Sequence, residues 1–223
     1  MTAVRAPDVA DLVRRLEAAY GQRPWKTWGT PLDVLVGTIL SQNTTDTNSD
    51  RAMDRLVAAF PTWDDAARAP LGRIAAAIRP AGLHRQKARS IRAILCGLVA
   101  ERGRARLDFL RRWPTPRIRD FLAALPGVGP KTVACTLLFS TLRRPVLPVD
   151  THVHHVSRRL GLIDARTTAA QAHERLAARV PARLVYAFHV LLITHGRRVC
   201  HARRPRCEAC PIDLVCPSAY RVR

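Results

Sequence analysis

The sequence predicts an all-α fold, and three observations lead there. Apolar residues recur at spacings of three and four in one segment after another. Short Pro- and Gly-bearing turns part those segments, and little of the chain alternates apolar with polar residues as a half-buried strand would. With 223 residues and a 48% apolar share, the chain can bury a sizeable core as one large domain or two small ones.

The first helix opens at Pro7-Asp8, with Asp8 as its cap and Val9, Leu12, Val13, Leu16 and Ala19 on one face. Residues 31–40 are apolar almost all round, the pattern of a helix buried on every side. Ser41-Gln42-Asn43-Thr44-Thr45-Asp46 interrupts it, and a further helix follows over 48–60. Helical spacing then covers 64–68, 71–78, 86–101, 117–125, 131–140, 151–160, 168–180 and 183–195. Between them, 102–117 is rich in Arg and carries Pro114 and Pro116, so it is expected as an exposed, solvated loop within a domain. Cys96 and Cys135 fall on apolar helix faces, as inert core residues do.

Charge narrows the function. Thirty-seven Lys and Arg against seventeen Asp and Glu give a formal net charge of +20, which favours a polyanionic partner held by salt-sensitive contacts. A generally adhesive, ribosome-like basic protein is the alternative. No apolar run is long enough to span a bilayer, and Met1 to Asp8 lacks the charged-then-apolar order of a signal peptide. A reducing cytoplasm is expected, with the positive surface associating the chain with a polyanion there. Only Lys26, Lys87 and Lys131 are lysines, so the other thirty-four of the thirty-seven basic residues are Arg. Such usage follows from a GC-rich genome, yet it can also mark positions that need an amine, because Arg stays charged where Lys can become a neutral nucleophile.

One of those lysines follows a tight turn. In Leu125-Pro126-Gly127-Val128-Gly129-Pro130-Lys131-Thr132, two glycines allow unusual backbone angles and close approach of a ligand. Pro130 suits the first position of a following helix. Apolar helices on both sides make this a helix–hairpin–helix unit, whose free backbone N–H groups at the second helix's start and positive helix end form a phosphate site. Lys131 is either a phosphate contact or a nucleophile, since the dipole disfavours a second positive charge there. Nineteen residues on, Asp150 sits where a helix cap belongs and can also serve as a carboxylate that steadies positive charge or moves a proton. His152, His154 and His155 read as surface or packing residues.

Near the C-terminus, Cys200, Cys207, Cys210 and Cys216 follow C-x6-C-x2-C-x5-C. So short a stretch accommodates two disulfides poorly but can wrap four sulfurs around one metal centre. A single C-x-x-C knuckle with lone cysteines on either side suits an iron–sulfur cluster better than zinc, with disulfides or free thiols a weaker third reading. His201-Ala202-Arg203-Arg204-Pro205-Arg206, held between Cys200 and Cys207, makes a ready phosphate contact through Arg203 and Arg204.

Taken in this order, the hairpin, Lys131, Asp150 and the cysteines resemble the endonuclease III family of helix–hairpin–helix base-excision DNA glycosylases. The resemblance runs from about Leu12 to Cys216 and includes Leu40-Ser41, Thr45-Asp46, Gly82-Leu83 with Lys87-Ala88, Val149 to His152, and His195-Gly196-Arg197. It implies two helical lobes with a cleft between them: a six-helix barrel over 24–144 and a cluster lobe of 1–23 with 145–223, placing Lys131 and Asp150 across the cleft. Lys131 would attack the sugar C1′ of a flipped, oxidised pyrimidine nucleotide, and a Schiff base and β-elimination would nick the strand. Asp150 would assist base departure. Gly127, Val128 and Gly129 would hold phosphates through their N–H groups, with a monovalent cation at the hairpin, and one 4Fe-4S cluster is implied, acting structurally and in DNA docking. The partner is double-stranded DNA with a damaged base or abasic site, and the chain is expected to be a monomer. Leu83 matches the wedge residue, and Gln42 or Asn43 the residue filling the vacated stack. His84 stands where an aromatic is common and Val133 where a small residue is, so lesion preference and local packing can differ. The other functions weighed are a monofunctional glycosylase for mismatched adenine or alkylated bases, which is expected to lack this lysine, and a non-catalytic DNA-binding protein.

Overall fold

A computed structural model describes residues 6–221, so the reading of Met1 to Arg5 lies outside the described residues. Among those described residues the chain forms eleven α-helices with short 3-10 turns and no strand, only an isolated bridge between Gly29 and Ser140. The all-α expectation holds. No described helix is long and apolar enough to cross a membrane.

The chain divides into two compact units, 27–144 and 1–26 with 145–223. The first boundary lies three residues beyond the expected 23/24, because Trp25 stacks on Tyr186, their ring centroids 5.8 Å apart.

The unit of 27–144 holds α2 (Pro31–Leu40), α3 (Asp46–Ala59), α4 (Trp63–Arg68), α5 (Leu71–Ala77), α6 (His84–Arg102), α7 (Thr115–Ala123) and α8 (Pro130–Phe139). Pro70, in extended backbone, parts the two short helices α4 and α5 and raises the count to seven where a six-helix barrel was expected. At the centre α2 packs on α8. Both are buried nearly all round, and their polar members are satisfied locally: Thr38 Oγ1 donates to the Val34 carbonyl at 2.7 Å and Thr136 Oγ1 to that of Thr132 at 2.9 Å. Trp28 lies flat on Phe139 with centroids 3.8 Å apart, while its N–H donates to the Phe139 carbonyl at 2.7 Å. Thr30 and Thr45 start α2 and α3 by accepting from the N–H of Asp33 and Asn48.

The segment 102–117 corrects its expectation. It is not a solvated loop, because Ala105, Leu107 and Leu110 are buried and a 3-10 turn spans Asp108–Arg112. The Ala105 N–H donates to Asp64 Oδ1 at 2.6 Å. Phe109, Trp113 and Phe121 meet edge-on, and the Arg102 guanidinium sits 3.6 Å from the Phe109 centroid. Two of the arginines here, Arg102 and Arg117, cover aromatic rings.

The unit that contains both ends of the chain holds α1 (Val9–Tyr20), α9 (Thr151–Arg159), α10 (Ala169–Ala177) and α11 (Val185–Arg198), with α11 packed on α1 and α9. Asp8 caps α1 through the N–H groups of Ala10 and Asp11. Val9, Leu12, Val13 and Leu16 are buried as expected, but Ala19 is exposed; the half-buried Tyr20 closes that last turn instead, its hydroxyl 2.9 Å from His195 Nδ1. Cys135 is buried, and Cys96 is half-buried with its thiol 3.4 Å from the Ala67 carbonyl.

Where α9 meets α11, Gly196 is required by space. A Cβ there would lie 2.8 Å from His152 Nδ1 and 3.0 Å from His152 Cβ, closer than real contacts allow. Gly196→Ala gains helix propensity but overpacks this seam, and is expected to lower stability by a net ~1–2 kcal/mol. Thermal unfolding followed by circular dichroism checks this; a melting temperature equal to or above that of the parent contradicts the packing account.

Candidate nucleic-acid interface

The hairpin joins α7 to α8. The Leu125 N–H donates to the Leu122 carbonyl at 3.1 Å and the Val128 N–H to that of Leu125 at 3.2 Å, closing the turn. Gly127 has φ +79°, and a Cβ on it would lie 2.7 Å from Ser90 Oγ, so conformation and space both demand glycine. Gly129 differs. Its backbone is extended, and a Cβ there would meet nothing within 4 Å. It is the N-cap of α8, a position that suits glycine, and its bare backbone leaves room for close approach by a ligand. The Val128 N–H, expected as a phosphate donor, is engaged within the turn; Gly127 and Gly129 remain the hairpin's candidate donors. A cation there would share the Gly127 carbonyl with the Gln42 amide, which donates to it at 3.1 Å.

Pro130 opens α8, and Lys131 occupies its second position, half-buried. An amine thus stands one residue inside a helix whose N-terminal end follows a phosphate-sized turn. Asp150 belongs to the other unit. It caps α9, its Oδ1 accepting from the Val153 N–H at 2.8 Å, so one carboxylate oxygen holds the helix start.

Of the two side chains weighed for the vacated stack, Gln42 is half-buried and turned toward the hairpin, its Nε2 also 3.3 Å from Thr132 Oγ1. Asn43 is exposed on left-handed backbone, φ +52°. Leu83 is likewise left-handed, at φ +46°, and 54% exposed; His84 starts α6 beside it, half-buried. Beneath both turns lies Lys87, only 3% exposed, with desolvation pulling its ammonium below the usual lysine range.

The four cysteines line one pocket, together with Val156, Arg159, His195, Val199 and Ile212. Burial pushes the Cys200 thiol up, but hydrogen bonds from His155, His195 and Arg159 outweigh it and bring the thiol down to about 6. Cys210 is pushed up to about 12 by burial, with the neighbouring Cys216, Cys200 and Cys207 sulfurs adding to the shift. Arg159 forms a fork under the loop: Nη1 reaches Cys200 Sγ at 3.2 Å and the His201 carbonyl at 2.7 Å, and Nη2 the Ala202 carbonyl at 2.6 Å. His155 bridges the Thr151 and Cys200 carbonyls at 2.7 Å each, and the hydrogen bond to the Cys200 sulfur raises its pKa above the usual imidazole range. Arg203 and Arg204 stay exposed on that loop. Sequence reasoning assigned His155 to surface packing and did not single out Arg159. Their helical spacing of four places both on the face of α9 that meets the cysteine loop, and this was the available signal.

Comparison with known proteins adds the relationship. Residues 36–182 match the HhH-GPD superfamily base excision DNA repair protein family. An Arabidopsis thaliana protein whose DNA-glycosylase assignment is provisional is 42% identical over 84% of this chain, which spans 61% of that relative's length. Endonuclease III of Thermotoga maritima is 36% identical, covering 96% of this chain and 94% of its own. Among solved structures, a trapped endonuclease III–DNA covalent intermediate superposes with a TM-score of 0.80 at 28% identity, over 96% of both chains. Two apolar helices around a glycine hairpin, a lysine just inside the second and a cysteine loop thus occur in a fold and sequence shared along nearly the whole chain, and the protein belongs to the endonuclease III family within the HhH-GPD superfamily of base excision DNA repair proteins.

Proposed function

We propose that this chain is a DNA glycosylase with abasic-site lyase activity that removes oxidised pyrimidines from duplex DNA. The observation carrying it is Lys131, an amine set one residue inside α8 directly after the Gly127–Gly129 turn. The N–H groups of Gly127 and Gly129 would hold a backbone phosphate, bringing the sugar of a flipped nucleotide to the amine. The Lys131 amine attacks C1′ and gives up a proton; the C1′–N bond breaks and its electron pair leaves with the base, which takes up a proton. Asp150 steadies the cationic sugar through the oxygen not spent on capping. The ring opens to a Schiff base, loss of a C2′ proton follows, and the 3′ phosphate departs by β-elimination. Leu83 and Asn43 would enter the duplex, Gln42 and His84 would support them, and Arg203 and Arg204 would add phosphate contacts.

Cys200, Cys207, Cys210 and Cys216 would hold a 4Fe-4S cluster. One observation supports this: all four cysteines line one pocket. Sulfurs around a hollow suit a multi-iron group better than zinc, which needs each sulfur within about 2.3 Å of one point. Bound there, the group cross-links the segment of 200–216 and stiffens the loop bearing Arg203 and Arg204.

Borohydride reduction on DNA carrying an abasic site or an oxidised pyrimidine should trap the chain covalently. Lys131→Ala should lose the adduct and lower base release by roughly a thousandfold or more. Base release without an adduct would mark a monofunctional glycosylase, and neither reaction would leave a DNA-binding protein. Asp150→Asn keeps a good helix cap, so stability should change by less than about 0.5 kcal/mol while turnover falls roughly 10²–10⁴-fold; parallel loss of both would reduce Asp150 to a structural role. The purified protein should be brown and contain iron and acid-labile sulfide in equal amounts, and a colourless, zinc-loaded protein removes the cluster assignment.

A further inference from the structure

Lys87 is buried where a charged group is costly, so something must compensate it. Its ammonium has three donors and uses all of them: Nζ donates to the carbonyls of Leu40 at 2.8 Å, Gln42 at 2.6 Å and Ala81 at 2.8 Å. Those carbonyls come from two turns some forty residues apart along the chain, one ending α2 and the other preceding α6. Close after each clamped stretch, a residue other than glycine takes up left-handed backbone: Asn43 directly follows Gln42, and Leu83 follows Ala81 with Gly82, also at positive φ, between them. Such backbone is unfavourable for a residue with a Cβ and persists where its surroundings over-determine it. A trigonal ammonium can meet three converging carbonyls, whereas the planar guanidinium fork cannot. In a chain that draws thirty-four of its thirty-seven basic residues as Arg, Lys stands at this position.

We propose that Lys87 is a positioning residue for opening the duplex: its ammonium fixes the Asn43 turn and the Leu83 turn at one spacing, so that both side chains enter the helix together when a nucleotide is flipped out. The proposal rests on the glycosylase reading above and concerns a step before the chemistry. Lys87 touches neither substrate nor reacting atoms. It sets where two strained turns present their side chains, much as a pin sets two jaws. Without it, three buried carbonyls lose a shared donor and each turn can relax to ordinary backbone independently of the other.

The test compares one oxidised pyrimidine in two settings, fully paired in a duplex and unpaired in single-stranded DNA, using the full-length protein and the variants Lys87→Gln and Lys87→Met. Chemistry at Lys131 is common to both substrates, while duplex opening is needed only for the first. Lys87→Gln keeps two donors and buries no charge, so it is the variant most apt to fold. Each variant should lose at least about tenfold more activity on the paired lesion than on the unpaired one, since unstacking a base costs a few kcal/mol. The fluorescence of 2-aminopurine opposite an abasic site, which brightens as the stack opens, should rise with the parent protein and fail to rise with either variant. Equal proportional losses on both substrates, an unchanged fluorescence rise, or failure of both variants to fold would make Lys87 an ordinary folding element and overturn the proposal. The fluorescence readout involves no bond breaking. A parent protein that opens the duplex but neither releases base nor forms a borohydride adduct therefore sinks the glycosylase reading and leaves this one standing.

Discussion

Burying one ammonium organises the functional half of residues 27–144. Lys87 is 3% exposed and held by three carbonyls, and its desolvation is tolerable only while all three stay in place. Those carbonyls anchor the turn after α2 and the turn before α6, and the first turn in turn reaches the hairpin through Gln42 Nε2 and the Gly127 carbonyl. The α2–α8 pair supplies the rigid floor, both helices being apolar on nearly every side. Exposed side chains at Asn43 and Leu83 and the amine of Lys131 are thus carried by short, strained or glycine-bearing turns on a closely packed base. Such a division suits a protein that must distort its partner without distorting itself.

Much of this was legible in the sequence because it rests on local chemistry. Helical spacing located the helices, and Asp8 and Asp150 mark starts that their side chains cap. The glycine hairpin with Lys131 after it could be read directly, as could the cysteine spacing. What stayed hidden depends on residues distant along the chain. Lys87 reads as one more cation on a helix until Leu40, Gln42 and Ala81 are seen around it. The choice between Gln42 and Asn43 turns on a contact with residue 127. Likewise 102–117 has the composition of a loop, yet Ala105, Leu107 and Leu110 find a core that no local pattern announces. Gly127 and Gly129 look equivalent in sequence, and the left-handed backbone of Gly127 and its nearness to Ser90 distinguish them.

The net charge of +20 is likewise less uniform in purpose than its size suggests. Arg73, Arg102, Arg117 and Arg198 lie over aromatic rings, and Arg159 is spent on the cysteine loop. These guanidinium groups act through stacking and directed hydrogen bonds, for which Arg is better shaped than Lys. Exposed residues such as Arg203 and Arg204 are the ones whose field can meet a phosphate backbone directly, and whose contribution salt would screen.

The unit that contains both ends of the chain has a consequence for biogenesis. Helix α1 buries Val9, Leu12, Val13 and Leu16 and packs on α11, which begins only at Val185. A twelve-residue helix is marginal alone in water. At roughly 5–20 residues per second, α1 leaves the ribosome about 10–35 seconds before its partner is made. The segment 27–144 emerges whole in that interval and can fold as it appears. Throughout it, the four apolar side chains of α1 lack the helix that later covers them, which makes α1 one of the last elements to settle.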